Sequence, residues 1–265
     1  MRINKKKFLD TLTPVFSIAA VFFIWWLISL FLPPVRLPSP IAVIEKWVKS
    51  VFYYPQVSMY AMGGRNFNLH LLSTIRKFFI GVSIGVFSGI CFGLILGWSK
   101  MLREFFEPPL EIIRTIPSLA ALPFFLMWFG PRESSQLALV SFYCFTMLVI
   151  NTINAIKNVS PKFFRFALTF GATRGQVYRT VIVPAIIPEI IGGIRVALAV
   201  SWGFVVLAEY MGAGYGVGRL IMSFMPFLHT IGIFVGIFWV ILFAFLTDFL
   251  FMKLIAHPLT AWMPH

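Results

Sequence analysis

The stretch Lys157–Pro188, KNVSPKFFRFALTFGATRGQVYRTVIVPAIIP, lies between two apolar segments that are each long enough to cross a bilayer. About 20 helical residues at 1.5 Å each match the hydrocarbon core, so the chain is expected to enter and leave a membrane as helices. Within the stretch Lys157, Lys162, Arg165, Arg174 and Arg179 supply five positive charges, and no acidic residue occurs between Glu133 and Glu189. An excess of this kind marks a loop on the cytoplasmic side. Phe163, Phe166 and Phe170 follow the i, i+3, i+7 spacing of one face of a short helix ahead of Gly171-Ala172. An aromatic face beside a membrane either meets a partner or folds back on the chain's own spans.

Composition agrees with a membrane protein. Hydrophobic residues make up 59% of the 265 residues, charged residues 12%, and the mean hydropathy is +0.89, against about one-quarter charged residues in soluble domains. The net charge of +13 sits beside apolar spans, where it sets topology and meets anionic headgroups, which excludes nucleic acid as a partner and makes membrane lipid one. Cys91 and Cys144 fall inside spans without C-x-x-C spacing, so neither a disulfide framework nor a metal site is expected. His70, His229, His257 and His265 have no ligand spacing, and no paired carboxylate motif or phosphate loop occurs. The expectation is therefore no catalytic residue, no metal and no cofactor bound by this chain.

The fold class expected is all-α: one polytopic domain over residues 1–265 with about six transmembrane helices. Basic residues precede the run Pro14–Leu32, which reads as a first span starting in the cytoplasm rather than as a cleaved signal. Residues 34–68, with LPSP, Tyr53-Tyr54-Pro55 and Gly63-Gly64, read as an outer loop holding a helix near 40–52. The second span, about 69–98, carries Gly81, Gly85, Gly89, Gly93 and Gly97, a ridge that lets another helix approach. A third span at about 110–130 is interrupted by Pro117 and Pro123. A fourth runs to about Ile156, a fifth covers about 190–211, and a sixth covers about 230–252. GAGYGVG at 212–218 reads as an outer turn, not a dinucleotide fingerprint. Of 22 Lys and Arg, twelve fall in the inside segments of this scheme, six in the outside ones and four within spans, which puts both termini in the cytoplasm.

The run A167-x3-G171-A172-x8-V181-x-V183-P184-x3-P188 resembles the signature loop of ABC importer permeases. LPSP at 37–40, HLLSTIR at 70–76, IRTIPSLAALPFFLMWFG at 113–130 and GGIRVALAVSW at 192–202 resemble the nitrate/sulfonate/taurine/bicarbonate branch. The chain departs from the family's Glu-Ala-Ala, having Arg165-Phe166-Ala167 instead. The resemblance implies a type I importer permease fold in the bacterial cytoplasmic (inner) membrane, in a chain that is not itself an enzyme. It implies a homodimer with a second permease copy, two ATPase subunits that bind ATP and Mg, and a periplasmic or lipid-anchored binding protein. The solute implied is a small anion such as nitrate, sulfonate or bicarbonate, or a small heteroaromatic. Carried onto this chain, the ATPase-coupling loop comprises Phe163, Arg165, Phe166, Ala167, Phe170, Gly171, Ala172, Arg174 and Pro184.

Trp202, Glu209, Tyr210 and Met211, near one end of a span whose opposite stripe is small, are expected to face the translocation route. Intramembrane Arg195, Glu209 and Asp248 leave one alternative open, a self-contained ion-coupled secondary transporter.

Overall fold

The computed structural model describes residues 5–60, 67–212 and 214–261, which are helical with no strand among them. Gly63-Gly64 of the expected outer loop and Ala213 of GAGYGVG lie outside the described residues. The helices are α1 (Lys5–Ser29), α2 (Pro40–Lys49), α3 (Gln56–Tyr60), α4 (Asn68–Trp98), α5 (Lys100–Thr115), α6 (Leu122–Phe129) and α7 (Glu133–Asn158). There follow α8 (Pro161–Thr169), α9 (Arg174–Val177), α10 (Val183–Gly212), α11 (Val217–Phe224), α12 (Thr230–Phe251) and α13 (His257–Thr260). Among the described residues, four helical stretches are long and apolar enough to cross a membrane: Asn68–Trp98, Glu133–Asn158, Arg174–Gly212 and Thr230–Thr260. Within α1, Val15–Ser29 forms a shorter apolar section.

The chain divides into two compact units. One comprises the residues up to Leu69 with Leu220–Trp239. Its LPSP sequence works as a helix start: Ser39 Oγ accepts the Ala42 N–H at 3.3 Å and Pro40 occupies the first turn, where no N–H is needed. Trp25 stacks on Phe234 at 5.5 Å, Trp47 lies 5.2 Å from Trp239, and the Trp239 indole donates to Ser50 Oγ at 2.9 Å. Tyr54 and His229 share a hydrogen bond of 2.9 Å between Oη and Nε2.

The second unit comprises His70–Arg219 and the residues from Val240 on. Its organising contact is the glycine ridge. A Cβ on Gly81 would stand 2.9 Å from Val140 Cβ, on Gly85 2.5 Å from Cys144 Cβ, on Gly89 3.0 Å from Leu148 Cβ, and on Gly93 2.6 Å from Thr152 Cβ. Each step of four in α4 is matched by a step of four in α7, and both rise together. The two helices therefore run parallel, with the α7 side chains seated where α4 has none. Ser141 Oγ adds a hydrogen bond to the Gly81 carbonyl at 3.0 Å. α10 runs the other way along α7, pairing Ser201 with Cys144 and Phe204 with Tyr143.

Parallel α4 and α7 require the residues between them to bring the chain back across the same thickness. That segment departs from the single interrupted span expected at 110–130. α5 starts at Lys100, runs through Pro108 and Pro109 and ends at Thr115. The helices Lys100–Thr115 and Leu119–Phe129 then meet at 88°. The bend falls where Pro117 forces the preceding Ile116 out of helical backbone, to φ −69° and ψ 121°.

Two π-helical turns, Tyr178–Ile182 and Met252–Ala256, end two residues before Pro184 and Pro258 respectively. In regular α geometry a proline ring strikes the carbonyl four residues back, and the wider π turn relieves that collision without ending the helix.

Candidate functional site

The signature stretch folds as α8, a tight turn, and then a helix that continues through α9 and the first π turn into α10. Helix α8 begins earlier than Phe163 because Ser160-Pro161 supplies its start, with Ser160 Oγ accepting the Lys162 N–H at 3.4 Å. It ends as the glycine predicts. Gly171 has φ +82°, its N–H donates to the Leu168 carbonyl at 3.0 Å, and the Ala172 N–H donates to the Ala167 carbonyl at 3.3 Å. These two bonds are the Schellman pair, which satisfies the last carbonyls of the helix only if the residue after the cap is left-handed. Thr173 and Gln176 then form a reciprocal capping box that starts α9.

No residue of α8 is buried. Phe163 is 61% exposed, Phe166 65% and Phe170 76%, so the aromatic face points away from the chain's own core. The Phe166 and Phe170 rings lie 4.9 Å apart. Arg165, Arg174 and Gly171 are exposed as well, while Ala167, Ala172 and Pro184 are half-buried. Between α9 with the following π turn and the end of α4, a cleft of about 660 Å³ is lined by Trp98, Thr173, Gln176, Arg179 and Val183 among others. The structure thus brings eight of the nine coupling-loop residues into one exposed elbow, and Pro184 lies beyond it at the start of α10.

Trp202, Glu209, Tyr210 and Met211 do not share a surface. Trp202 is 2% exposed, stacked on Phe78 at 4.0 Å. Tyr210 is half-buried and Met211 is 63% exposed. Glu209, fully buried, forms the centre of a polar network that sequence reading missed. Lys77 Nζ donates to Glu209 Oε1 at 3.0 Å and to the Tyr215 carbonyl at 2.6 Å. Thr74 Oγ1 lies 2.9 Å from Oε1, the Gly218 N–H donates to Oε2 at 2.9 Å, and the Val217 N–H donates to Thr74 Oγ1 at 2.9 Å. Gly216, at φ +147°, passes so close that a Cβ there would run into the Glu209 carboxylate. The network holds the turn after α10 onto α4 by its backbone. Its signal in the sequence was Lys77 itself, a cation amid an apolar span that needs an anion near by.

Arg195 and Asp248 form a two-pronged pair, Nε to Oδ1 at 2.6 Å and a terminal guanidinium nitrogen to Oδ2 at 2.9 Å, joining α10 to the α12 span. Two of the three intramembrane charges singled out in the sequence thus neutralise each other, and the third is neutralised by Lys77.

The family model described as binding-protein-dependent transport system inner membrane component matches residues 89–256. The Bacillus subtilis permease protein named for aliphatic sulfonates transport, SsuC, is 33% identical over 85% of this chain and 78% of its own. The Escherichia coli taurine transport system permease protein TauC is 31% identical over 93% of this chain and 88% of its own. A solved structure of the MetNI methionine ABC transporter in an inward-facing conformation shares the fold, with a TM-score of 0.62 and 16% identity over 74% of this chain and 95% of that one.

Proposed function

Because this chain belongs to the family of binding-protein-dependent transport system inner membrane components, we propose that it couples ATP hydrolysis on partner subunits to solute import through the elbow Pro161–Arg174. The chain is a non-catalytic permease subunit of an ABC importer with the type I permease fold, and the ATPase is a separate subunit. One observation carries the coupling role. An aromatic helix with no buried residue, closed by a left-handed glycine, is joined through a short turn ending at Thr173 to the 39-residue helix Arg174–Gly212. An exposed apolar face of this kind marks an interaction site, and a continuous helix transmits movement of that site into the membrane.

In this reading the whole chain acts as one permease domain in the bacterial inner membrane, with both termini in the cytoplasm. Two copies form the route, two ATPase subunits bind ATP and Mg, and each elbow seats in one ATPase. A periplasmic or lipid-anchored binding protein delivers the solute. The relatives named for sulfonates and taurine favour a small oxyanion, whether sulfonate, nitrate or bicarbonate, over a small heteroaromatic. Near the route's outer end, exposed Met211 and half-buried Tyr210 are the candidates for contact with solute, while buried Trp202 and Glu209 hold the shape behind them.

The test is reconstitution in vesicles. Uptake should require the ATPase, ATP and the binding protein together, and the binding protein should stimulate hydrolysis. Uptake by this chain alone on an ion gradient would overturn the reading in favour of a secondary transporter. Thermal-shift screening of the binding protein against nitrate, bicarbonate, sulfonates and pyrimidines identifies the solute.

A further inference from the structure

A small cavity of about 130 Å³ opens beside the Lys77–Glu209 pair, lined by Ser73, Arg76, Lys77, Glu133, Gln136 and the turn residues Gly214 and Tyr215. Gln136 is 1% exposed, yet neither its amide nitrogen nor its amide oxygen has a hydrogen-bond partner among the described residues. A buried amide left in that state costs free energy, so its NH2 donor is expected to be satisfied by whatever occupies the cavity.

The other lining groups say what that is. Lys77 has three N–H donors, of which Glu209 and Tyr215 take two. Arg76 reaches Glu133 at 2.5 Å, leaving most of its five donors free. Gln136 lies in the first turn of α7, whose leading N–H groups no side chain caps and whose one acidic first-turn residue, Glu133, is engaged by Arg76; that end of a 26-residue helix favours negative charge. Donors therefore outnumber acceptors, and the volume suits an ion of a few heavy atoms.

We propose that this cavity binds a small oxyanion, with Lys77, Gln136 and Arg76 as its donors. The site deepens the importer reading and rests on it. It lies at the end of the permease that the proposed topology places outside, where delivered solute arrives, so it would be an entry site for the anion on this subunit. Arg76 and Glu133 are the exposed rim, at 59% and 36%, and an incoming anion competes with Glu133 for the guanidinium.

The experiment uses the permease–ATPase complex in lipid nanodiscs without binding protein, so that the binding protein's own anion site does not contribute, and a Gln136 variant of the same complex controls for anion binding at the nucleotide sites. It is titrated with sodium nitrate, sodium methanesulfonate and sodium bicarbonate against sodium chloride at equal ionic strength, and the melting temperature is followed. A saturable rise with at least one oxyanion and none with chloride is expected. Gln136→Leu, which replaces an unsatisfied amide by a group of similar size, should assemble with an unchanged or higher anion-free melting temperature and bind the anion about tenfold more weakly or worse. Should it fail to assemble, Gln136→Glu keeps the shape and polarity, and its negative charge should abolish the response. No saturable rise with any of the three anions, or a response unaltered in the variant, would mean that the cavity holds water only, and the proposal falls. Binding-protein-stimulated ATP hydrolysis, measured on the same preparation, separates the two claims. Stimulation without an anion response removes the site and leaves the importer reading standing, whereas absent stimulation removes that reading and the site's role in entry with it.

Discussion

Replacing Gly171 tests the coupling role most directly, because the structure separates backbone strain from crowding there. A Cβ at position 171 would meet nothing within 4 Å. The cost of Gly171→Ala is therefore conformational alone, about 1–2 kcal/mol for holding an L-residue at φ +82°. Elsewhere in the protein a penalty of that size would be absorbed. Here it is not, because α8 has nine residues, none of them buried, and helices so short are marginal without tertiary support. The population with the Schellman turn formed should fall about 5- to 30-fold, and affinity for the ATPase should fall by the same factor if docking selects the formed elbow. Gly171→Val should do worse, adding a branched side chain on the docking surface. Gly171→Asn, whose side chain tolerates the left-handed region, should lose least. All three should reach normal abundance in the membrane. The assays are ATPase co-purification and ATP-driven uptake in vesicles, and full binding with full coupling in Gly171→Ala would refute the reasoning.

Three further outcomes follow from the packing and the ion pairs. Gly89→Leu places a side chain against Leu148 and against the Phe145 carbonyl, which a Cβ at position 89 would already approach to 2.9 Å; the yield of folded, monodisperse permease in detergent should fall, and an unchanged yield would deny the ridge its role. Lys77→Met strands a buried carboxylate and should destabilise the protein by about 3–5 kcal/mol, seen as a lower unfolding temperature, whereas Lys77→Met with Glu209→Gln should recover much of the loss. Burial, with Lys46 adding repulsion, holds the His229 imidazole below its ordinary range, so the folded state favours its neutral form; its contribution is complete above the unfolded value of about 6.5 and is lost as pH falls below it. Melting curves between pH 7.5 and 5 should show that decline, and His229→Gln, which retains a hydrogen-bonding partner for Tyr54, should flatten it.

What could be read from the sequence was local. Ser39-Pro40 and Ser160-Pro161 announce helix starts because the cap and the missing N–H act within one turn. Gly171 announces a left-handed stop for the same reason. The four-residue glycine repeat announces a close helix contact, although not which helix would fill it, since that depends on α7 repeating Val140, Cys144, Leu148 and Thr152 at the same interval. Helix α11 was legible and overlooked: Val217, Leu220, Ile221 and Phe224 have the i, i+3, i+4, i+7 pattern and are buried. The Lys77–Glu209 pair was not legible as a pair, because it joins residues far apart in the chain that only helix packing brings together. Nor was the bend at Ile116-Pro117, where proline marks a break but the 88° angle comes from tertiary context.

The continuity of Arg174–Gly212 has a mechanical consequence. At about 1.5 Å per residue its 39 residues make a beam about 58 Å long. If the beam pivots near its middle, where Gly193 and Ser201 meet α7, a tilt of about 5° swings each end by about 2.5 Å in opposite directions. Narrowing on one side of the bilayer is then geared to widening on the other, with no separate hinge required. If the elbow is the driven end, as proposed, the π turn at Tyr178–Ile182 would be the compliant joint there, and it would set how much of the stroke reaches Glu209.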